Sequence, residues 1–291
     1  MNIPQKQDKK SDLYYEAYGI CHIGKIRDSN QDAIFINNHI IRDEEKEVQG
    51  KIPFFRDGVI CFAAADGMGG YSDSGMASKI VLEELKNHPP FMDMPGQFTV
   101  GDDLKTKEVK KITDRWIHSL HEKLENQSQN SNQMGTTLSV LFIDNKSALF
   151  MHTGDTRIYR FFNNQLNQLT RDHTAANLSG NENLPKNILA NALGGGAQKA
   201  FADIEFIDPK IQSNDIFLIC SDGLHGLVSK EEITNNLTEH ADNLKNAARA
   251  LLDMAMNKGG NDNISIILLK IFQEKEQHDY LFGLPRNHKL I

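Results

Sequence analysis

The chain has 291 residues, 39% of them hydrophobic, and a net charge of −7, which allows one large domain or two small ones and argues against nucleic acid as the main partner. No run approaches ~18 consecutive apolar residues, so no membrane span is expected, and the polar start MNIPQKQDKKSD lacks the apolar core of a signal peptide. Cys21, Cys61 and Cys220 share no CxxC spacing, and free thiols suit a reducing compartment, so a cytoplasmic protein is expected.

In chain order, residues 1–12 read as a disordered leader, followed by an apolar patch over 14–23 and a β-rich stretch over 33–41. DEEKEVQGKIPFFRDG (43–58) reads as a charged loop between strands, and VICFAAA (59–65) as a short buried strand that stops at Asp66-Gly67. Ser74 caps a helix to about Asn87, with Ile80, Val81 and Leu85 near helical spacing, and His88-Pro89-Pro90 ends it. After a Pro/Gly loop over 91–101, an amphipathic helix over about 103–127 lines up Val109, Ile112, Trp116, Leu120 and Leu124, which makes Trp116 a core residue. Strands over 136–143 and 147–153 meet at Asp144-Asn145, and strands over 157–162 and 165–169 meet at Asn163-Asn164. Residues 174–200 read as mostly loop, 216–221 as a buried strand ending at Asp222-Gly223, 231–237 and 243–256 as helices, 264–271 as the last strand and 273–291 as a polar tail. Hairpins without βαβ alternation point to antiparallel sheets with helices packed outside.

DGMGGYSDSG (66–75) has the Gly70–Gly75 spacing of a phosphate loop, but Met76 and Ala77 stand where its lysine and its serine or threonine belong. Ser72 likewise replaces the third glycine of a dinucleotide loop. What remains is an aspartate followed by near-bare backbone, either a tight turn or a place where a carbonyl oxygen can approach a cation. Repetition favours the cation: Asp66 closes FAAADG, Asp155 closes HTGD, Asp222 closes FLICSDG, and Asp262 in GGNDN precedes a strand. Carboxylates after buried runs need partners, and basic residues are scarce beside them, Arg157 excepted. Oxygen-only ligands select hard ions such as Mg²⁺ or Mn²⁺. Separate turn-capping aspartates are the alternative, because DG and DN are common turn pairs.

Eight motifs in fixed order carry a family resemblance: GKIRDSNQDA (24–33), AAADGMGG (63–70), GTTLSVLFI (135–143), HTGDTRIYR (152–160), LTRDH (169–173), NALGG (191–195), LICSDGL (218–224) and GGNDNISIILL (259–269). Together they resemble the metal-dependent Ser/Thr protein phosphatases, also called protein phosphatase type 2C, in a bacterial-looking form. The resemblance implies an α+β fold, a four-layer α-β-β-α sandwich of two antiparallel sheets flanked by helices, with the catalytic domain over 13–272. It implies two cations, Mn²⁺ or Mg²⁺, with Asp66 bridging them, the Gly67 carbonyl on the second, and Asp222 and Asp262 completing the first. Asp32 would hold metal-bound waters, Gln31 would act through a water, Asp155 would serve a third ion, and Arg27 would grip the substrate phosphate. Thr136 and Thr137 would support the site.

The implied reaction is hydrolysis of phosphoserine and phosphothreonine by a water activated between the metals, with no phospho-enzyme, so Cys220 is not a nucleophile. The expected partners are phosphorylated proteins and an opposing Ser/Thr kinase, with neither nucleic acid nor membrane, and the chain is expected to be a monomer. The alternatives are a catalytically weak or dead relative acting as a regulatory binding module, or a hydrolase of small phosphoesters.

Four departures stand out. Gln31 replaces a frequent Glu, Met68 a frequent His, Gly226 a frequent Asp, and Asn191 a frequent Arg. The segment between His173 and Asn191 is short for a substrate-facing flap. His22, His152, His173 and His225 show no zinc spacing; His152 is expected to pack in a strand and His173 to hold a turn.

Overall fold

Short apolar strands and asparagine turns build the two sheets of this chain. The computed structural model describes residues 12–52, 59–68, 74–91, 103–128, 134–144, 147–181, 183–185 and 188–273. Residues 1–11 of the expected 1–12 leader, 274–291 of the expected 273–291 tail, and most of the loop over 91–101 lie outside the described residues. The first strands are β1 (Leu13–His22), β2 (Asp32–Ile36), β3 (His39–Ile41), β4 (Glu44–Lys51) and β5 (Ile60–Met68). Helices α1 (Ser74–Asn87) and α2 (Asp103–Gln127) follow, then β6 (Gly135–Thr136), β7 (Leu138–Ile143), β8 (Ala148–Thr153), β9 (Arg157–Phe162) and β10 (Gln165–Gln168). The short α3 (Ala175–Ser179), β11 (Leu193–Gly194) and β12 (Asp203–Phe206) precede β13 (Ile216–Cys220), α4 (Asp222–His225), α5 (Lys230–Glu239), α6 (Leu244–Asn257) and β14 (Ile264–Gln273).

One sheet runs β10-β9-β13-β14-β1-β4; the other runs β11-β6-β5-β7-β8-β12, with β2 and β3 added through β5. Every described pairing is antiparallel. The β2–β3 and β9–β10 hairpins turn at Asn37-Asn38 and Asn163-Asn164, all with positive φ, which suits the right-handed twist of tight hairpins.

The inner faces meet through Phe62, Leu141, Phe217, Ile219 and Ile267. The outer face of the β5 sheet carries Ala63, Val140 and Leu149 against Val81 and Leu85 of α1 and Leu120 and Leu124 of α2. The outer face of the β14 sheet carries Leu218, Ile266 and Leu268 against α5 and α6, through Leu237, Leu244 and Leu251. Strands buried on both faces read as unbroken apolar runs, as VICFAAA does. The architecture is the expected α-β-β-α sandwich.

Local expectations differ in places. The charged stretch from Glu44 is not a loop: β4 pairs with β1 from Cys21↔Glu44 to Tyr14↔Lys51 and forms the sheet edge. Its charges lie in solvent, where they discourage further strand pairing, and Val48 packs on the core. β5 does not stop at Asp66-Gly67 but continues to Met68, because β6 takes over as its partner at Gly67↔Thr136. Residues 174–200 contain α3 and β11, and β14 runs to Gln273 rather than ending at 271. Trp116 is half-buried rather than central; its Nε1 donates to the His88 carbonyl at 2.9 Å, while Ile117 lies deeper.

Candidate active site

The strand ends deliver the aspartates to one rim. β2 and β5 are paired so that Asp32 stands opposite Asp66. The Asp66 N–H donates to Thr137 Oγ1 (3.0 Å), and the Asp66 carbonyl accepts from Thr137 N (2.9 Å) and Thr136 Oγ1 (2.9 Å). The two threonines therefore fix the Asp66 backbone from β6 and its exit, in keeping with a supporting part. Gly67 is buried and its N–H donates to the Gln31 carbonyl (3.1 Å), which also accepts from Ser78 Oγ (2.6 Å).

Asp32 is fully buried, and its Oδ2 accepts from Ser221 Oγ (2.7 Å) and Ser265 Oγ (2.8 Å). Asp222 opens α4 directly after Ser221. Asp155 lies in the bend after β8, and its carbonyl accepts from His225 Nε2 (3.0 Å) at the other end of α4. Asp262 precedes β14, and its Oδ2 accepts from Arg27 Nη2 (2.7 Å), the side chains being 35% and 48% exposed.

Electrostatics show how closely these groups are gathered. Burial, then the charges of Asp32, Asp222, Asp155 and Asp262, push the Asp66 carboxyl well above its usual range. Burial raises Asp32 to about 6 and Asp155 to about 7, and it raises Asp222 ahead of the Asp262 charge. The charges of Asp32 and Asp222 oppose ionisation of the Asp66 carboxyl beside them. Arg27 is the cation facing them, feeling Asp262 first and then Asp66 and Asp222. Arg157, the basic neighbour noted in sequence, is committed to a bidentate pair with Asp172 (2.9 and 2.7 Å).

Do these residues fit a metal? Asp32 Oδ1 and Asp222 Oδ1 are buried without a hydrogen-bond donor, a costly state that a cation or its waters would relieve. Among the described residues, no three His, Cys, Asp or Glu side chains form a group that would enclose an ion alone. The set fits hard, well-hydrated cations.

The departures also have places. Gly226 ends α4; a Cβ there would meet the Asp222 carbonyl at 2.7 Å, so an aspartate could enter only if the turn shifted. Asn191 is buried and donates to His173 Nδ1 (2.7 Å) and the Phe201 carbonyl (2.8 Å). Met68 is half-buried beside Gly135 and Gly195. His152 packs in β8 against Ser139 Oγ (2.8 Å), and His173 accepts the Gly154 N–H (3.2 Å), as expected of a turn-holding residue. Burial pushes the thiols of Cys21 and Cys61 up to about 12, and that of Cys220 higher still. Sequence reasoning passed over Ser221, Ser265 and Asn263, and considered His225 only as a zinc ligand lacking the spacing. The available signal was polar residues set inside or beside buried strand runs, in LICSDGLH and DNISIILL.

The sequence profile of the family described as Protein phosphatase 2C matches residues 50–258. Protein phosphatase PhpP of Streptococcus pneumoniae is 29% identical over 265 residues, covering 87% of this chain and 96% of its own. The S. agalactiae serine/threonine phosphatase superposes with a TM-score of 0.69 at 25% identity, over 88% of this chain and 99% of that one. The catalytic domain of serine threonine protein phosphatase PstP, solved with 2 manganese ions, shares the fold at TM-score 0.66 and 22% identity, over 90% of this chain and 100% of that one. The rim of aspartates therefore has a family: the chain belongs to protein phosphatase 2C, the metal-dependent serine/threonine protein phosphatases.

Proposed function

We propose that this phosphatase hydrolyses phosphoserine and phosphothreonine in proteins with two divalent cations, manganese or magnesium, at the Asp66 rim. The observation that carries this reading is that Asp32, Asp155, Asp222 and Asp262 all lie within electrostatic reach of Asp66, with Arg27 bonded to Asp262 beside them. Asp66 would reach both ions, the Gly67 carbonyl the second, and Asp222 and Asp262 the first. Asp32 and Gln31 would orient bound waters, and Asp155 would serve a third ion. When bound, such cations supply Lewis acidity toward water and the phosphoryl oxygens. The manganese in PstP supports the choice of metal.

Arg27 would bind the substrate phosphate. Its guanidinium carries five N–H donors, and the bond to Asp262 uses Nη2, leaving a fork for two phosphoryl oxygens. The Asp262 pair holds that fork at the rim. Thr136 and Thr137 keep the Asp66 backbone in place while charge moves nearby.

Asp66, Asp222 and Asp262 are all present, which disfavours a catalytically dead binding module. The opposing partner is a Ser/Thr kinase, and the enzyme works as a cytoplasmic monomer. No helix among the described residues is long and apolar enough to cross a membrane.

Phosphate release from a phosphothreonine peptide with Mn²⁺, Mg²⁺ or EDTA tests the reading. Release with either metal and none with EDTA is expected; release indifferent to EDTA overturns it. Turnover of p-nitrophenyl phosphate without turnover of phosphopeptide would move the chain to small-phosphoester hydrolysis.

A further inference from the structure

Residues 23–31 join β1 to β2 and carry Arg27, yet Lys25, Ile26, Arg27, Asp28 and Ser29 are all exposed. No apolar burial of these five residues sets the loop's position, so polar contacts must. Asn263, only 3% exposed, supplies three of them from one side chain. Its Nδ2 donates to the Ile23 carbonyl (2.9 Å) and to the Ser29 carbonyl (3.1 Å), and its Oδ1 accepts from the Gln31 N–H (2.8 Å). The bonded residues flank Arg27 on both sides, so one amide closes the mouth of the loop.

Two further contacts lay the loop on the turn before β14. Lys25 N donates to the Gly260 carbonyl (2.8 Å), and Gly24, at φ +82°, passes so near that a Cβ would stand 2.1 Å from the Asp262 carbonyl. Asn263 is itself seated firmly: Gly223 lies against its carbonyl, where a Cβ would come within 1.9 Å. The amide thus ties the Arg27 loop to the junction that presents Asp262 and Asp222. Of the short side chains, only asparagine offers two N–H donors and a carbonyl acceptor on one planar group; aspartate lacks the donors.

We infer that Asn263 is a positioning residue for Arg27, holding the guanidinium where a substrate phosphate meets it. The inference rests on the phosphate-binding reading of Arg27. Asn263 touches no reacting atom; it acts through the loop, and its effect on phosphate binding is felt only while Arg27 is there to be aimed.

That last property gives the test. Wild type, Arg27→Ala, Asn263→Ala and the double variant are compared by phosphopeptide kinetics, inhibition by inorganic phosphate and calorimetric Mn²⁺ titration. Asn263→Ala should raise KM and the phosphate inhibition constant about tenfold, because small misplacements of a binding group are costly. kcat and Mn²⁺ affinity should stay within about twofold, and the double variant should match Arg27→Ala, since effects that share one route do not add. Asn263→Asp keeps the shape and the acceptor but loses both donors; it carries the same test if the alanine variant does not fold. Additive losses in the double variant, or unchanged phosphate inhibition in Asn263→Ala beside a weakened Arg27→Ala, overturn the inference alone. Unchanged phosphate inhibition in Arg27→Ala overturns the reading of Arg27 and this inference with it.

Discussion

Asp66 and Asp222 sit where burial and neighbouring carboxylates both oppose ionisation. Asp66→Asn or Asp222→Asn should abolish phosphate release while circular dichroism stays native, because neither side chain fills the core; near-normal turnover at saturating Mn²⁺ would contradict their assignment. Arg27 is easier to perturb. Its pair with Asp262 is half exposed, so the pair itself is worth no more than about 1 kcal/mol and its removal should leave metal affinity within a few-fold. Hydrogen bonds to a phosphate are worth about 1.5–3 kcal/mol, so Arg27→Ala should raise KM and weaken phosphate inhibition by roughly ten- to a hundredfold, with Arg27→Lys recovering only part. Gln31 tests the opposite direction: Gln31→Glu should lower the Mg²⁺ concentration giving half-maximal rate, and an unchanged titration would count against it. The carboxylates were legible because an aspartate closing a buried run is conspicuous in sequence. Ser265 was not, because whether such a residue faces the site depends on register, which pairing with distant strands decides.

Among the elements, the caps and asparagine hairpins are local chemistry and can be read directly. Ser229 before α5 forms a full capping box with Glu232. Ser229→Ala should cost about 1 kcal/mol and lower Tm by roughly 2–4 °C with catalysis untouched, as a melt and a rate assay would show. β4 and the extension of β5 were hidden for a physical reason. β4 has a strongly charged sequence and is a strand because β1 offers it a partner; β5 outlasts its apolar run because β6 pairs with Gly67 and Met68. Such strands are made by tertiary pairing, not by their own composition. The same applies to β12, whose half-exposed residues give little alternation to detect.

For the whole molecule, gathering carboxylates makes stability depend on pH with a defined sign. A carboxyl raised on folding binds more protons folded than unfolded, so it destabilises increasingly as pH climbs from its ordinary 3.8 through its folded value. Asp32 at about 6 and Asp155 at about 7 mark that window, with Asp66 also raised. Buried His152 and His225, lowered from 6.5 to about 4, act in the other direction, costing stability as acid charges them. Comparing Asp66→Asn with wild type largely cancels the histidine terms. In EDTA the variant should melt higher, and its lead should widen as pH rises above the ordinary carboxylate value of 3.8; a constant gap would show that Asp66 carries no charge penalty. The order of the β14 sheet has a consequence for how the protein is made. β14 lies between β13 and β1, and Asp262 stands two residues before it. On a ribosome adding ~5–20 residues per second, β1 emerges on the order of ten seconds or more before the strand that completes its sheet. Until residues 264–273 follow, the nascent chain holds two apolar strand edges that only those residues can cover, and that interval is when a chaperone has most to bind.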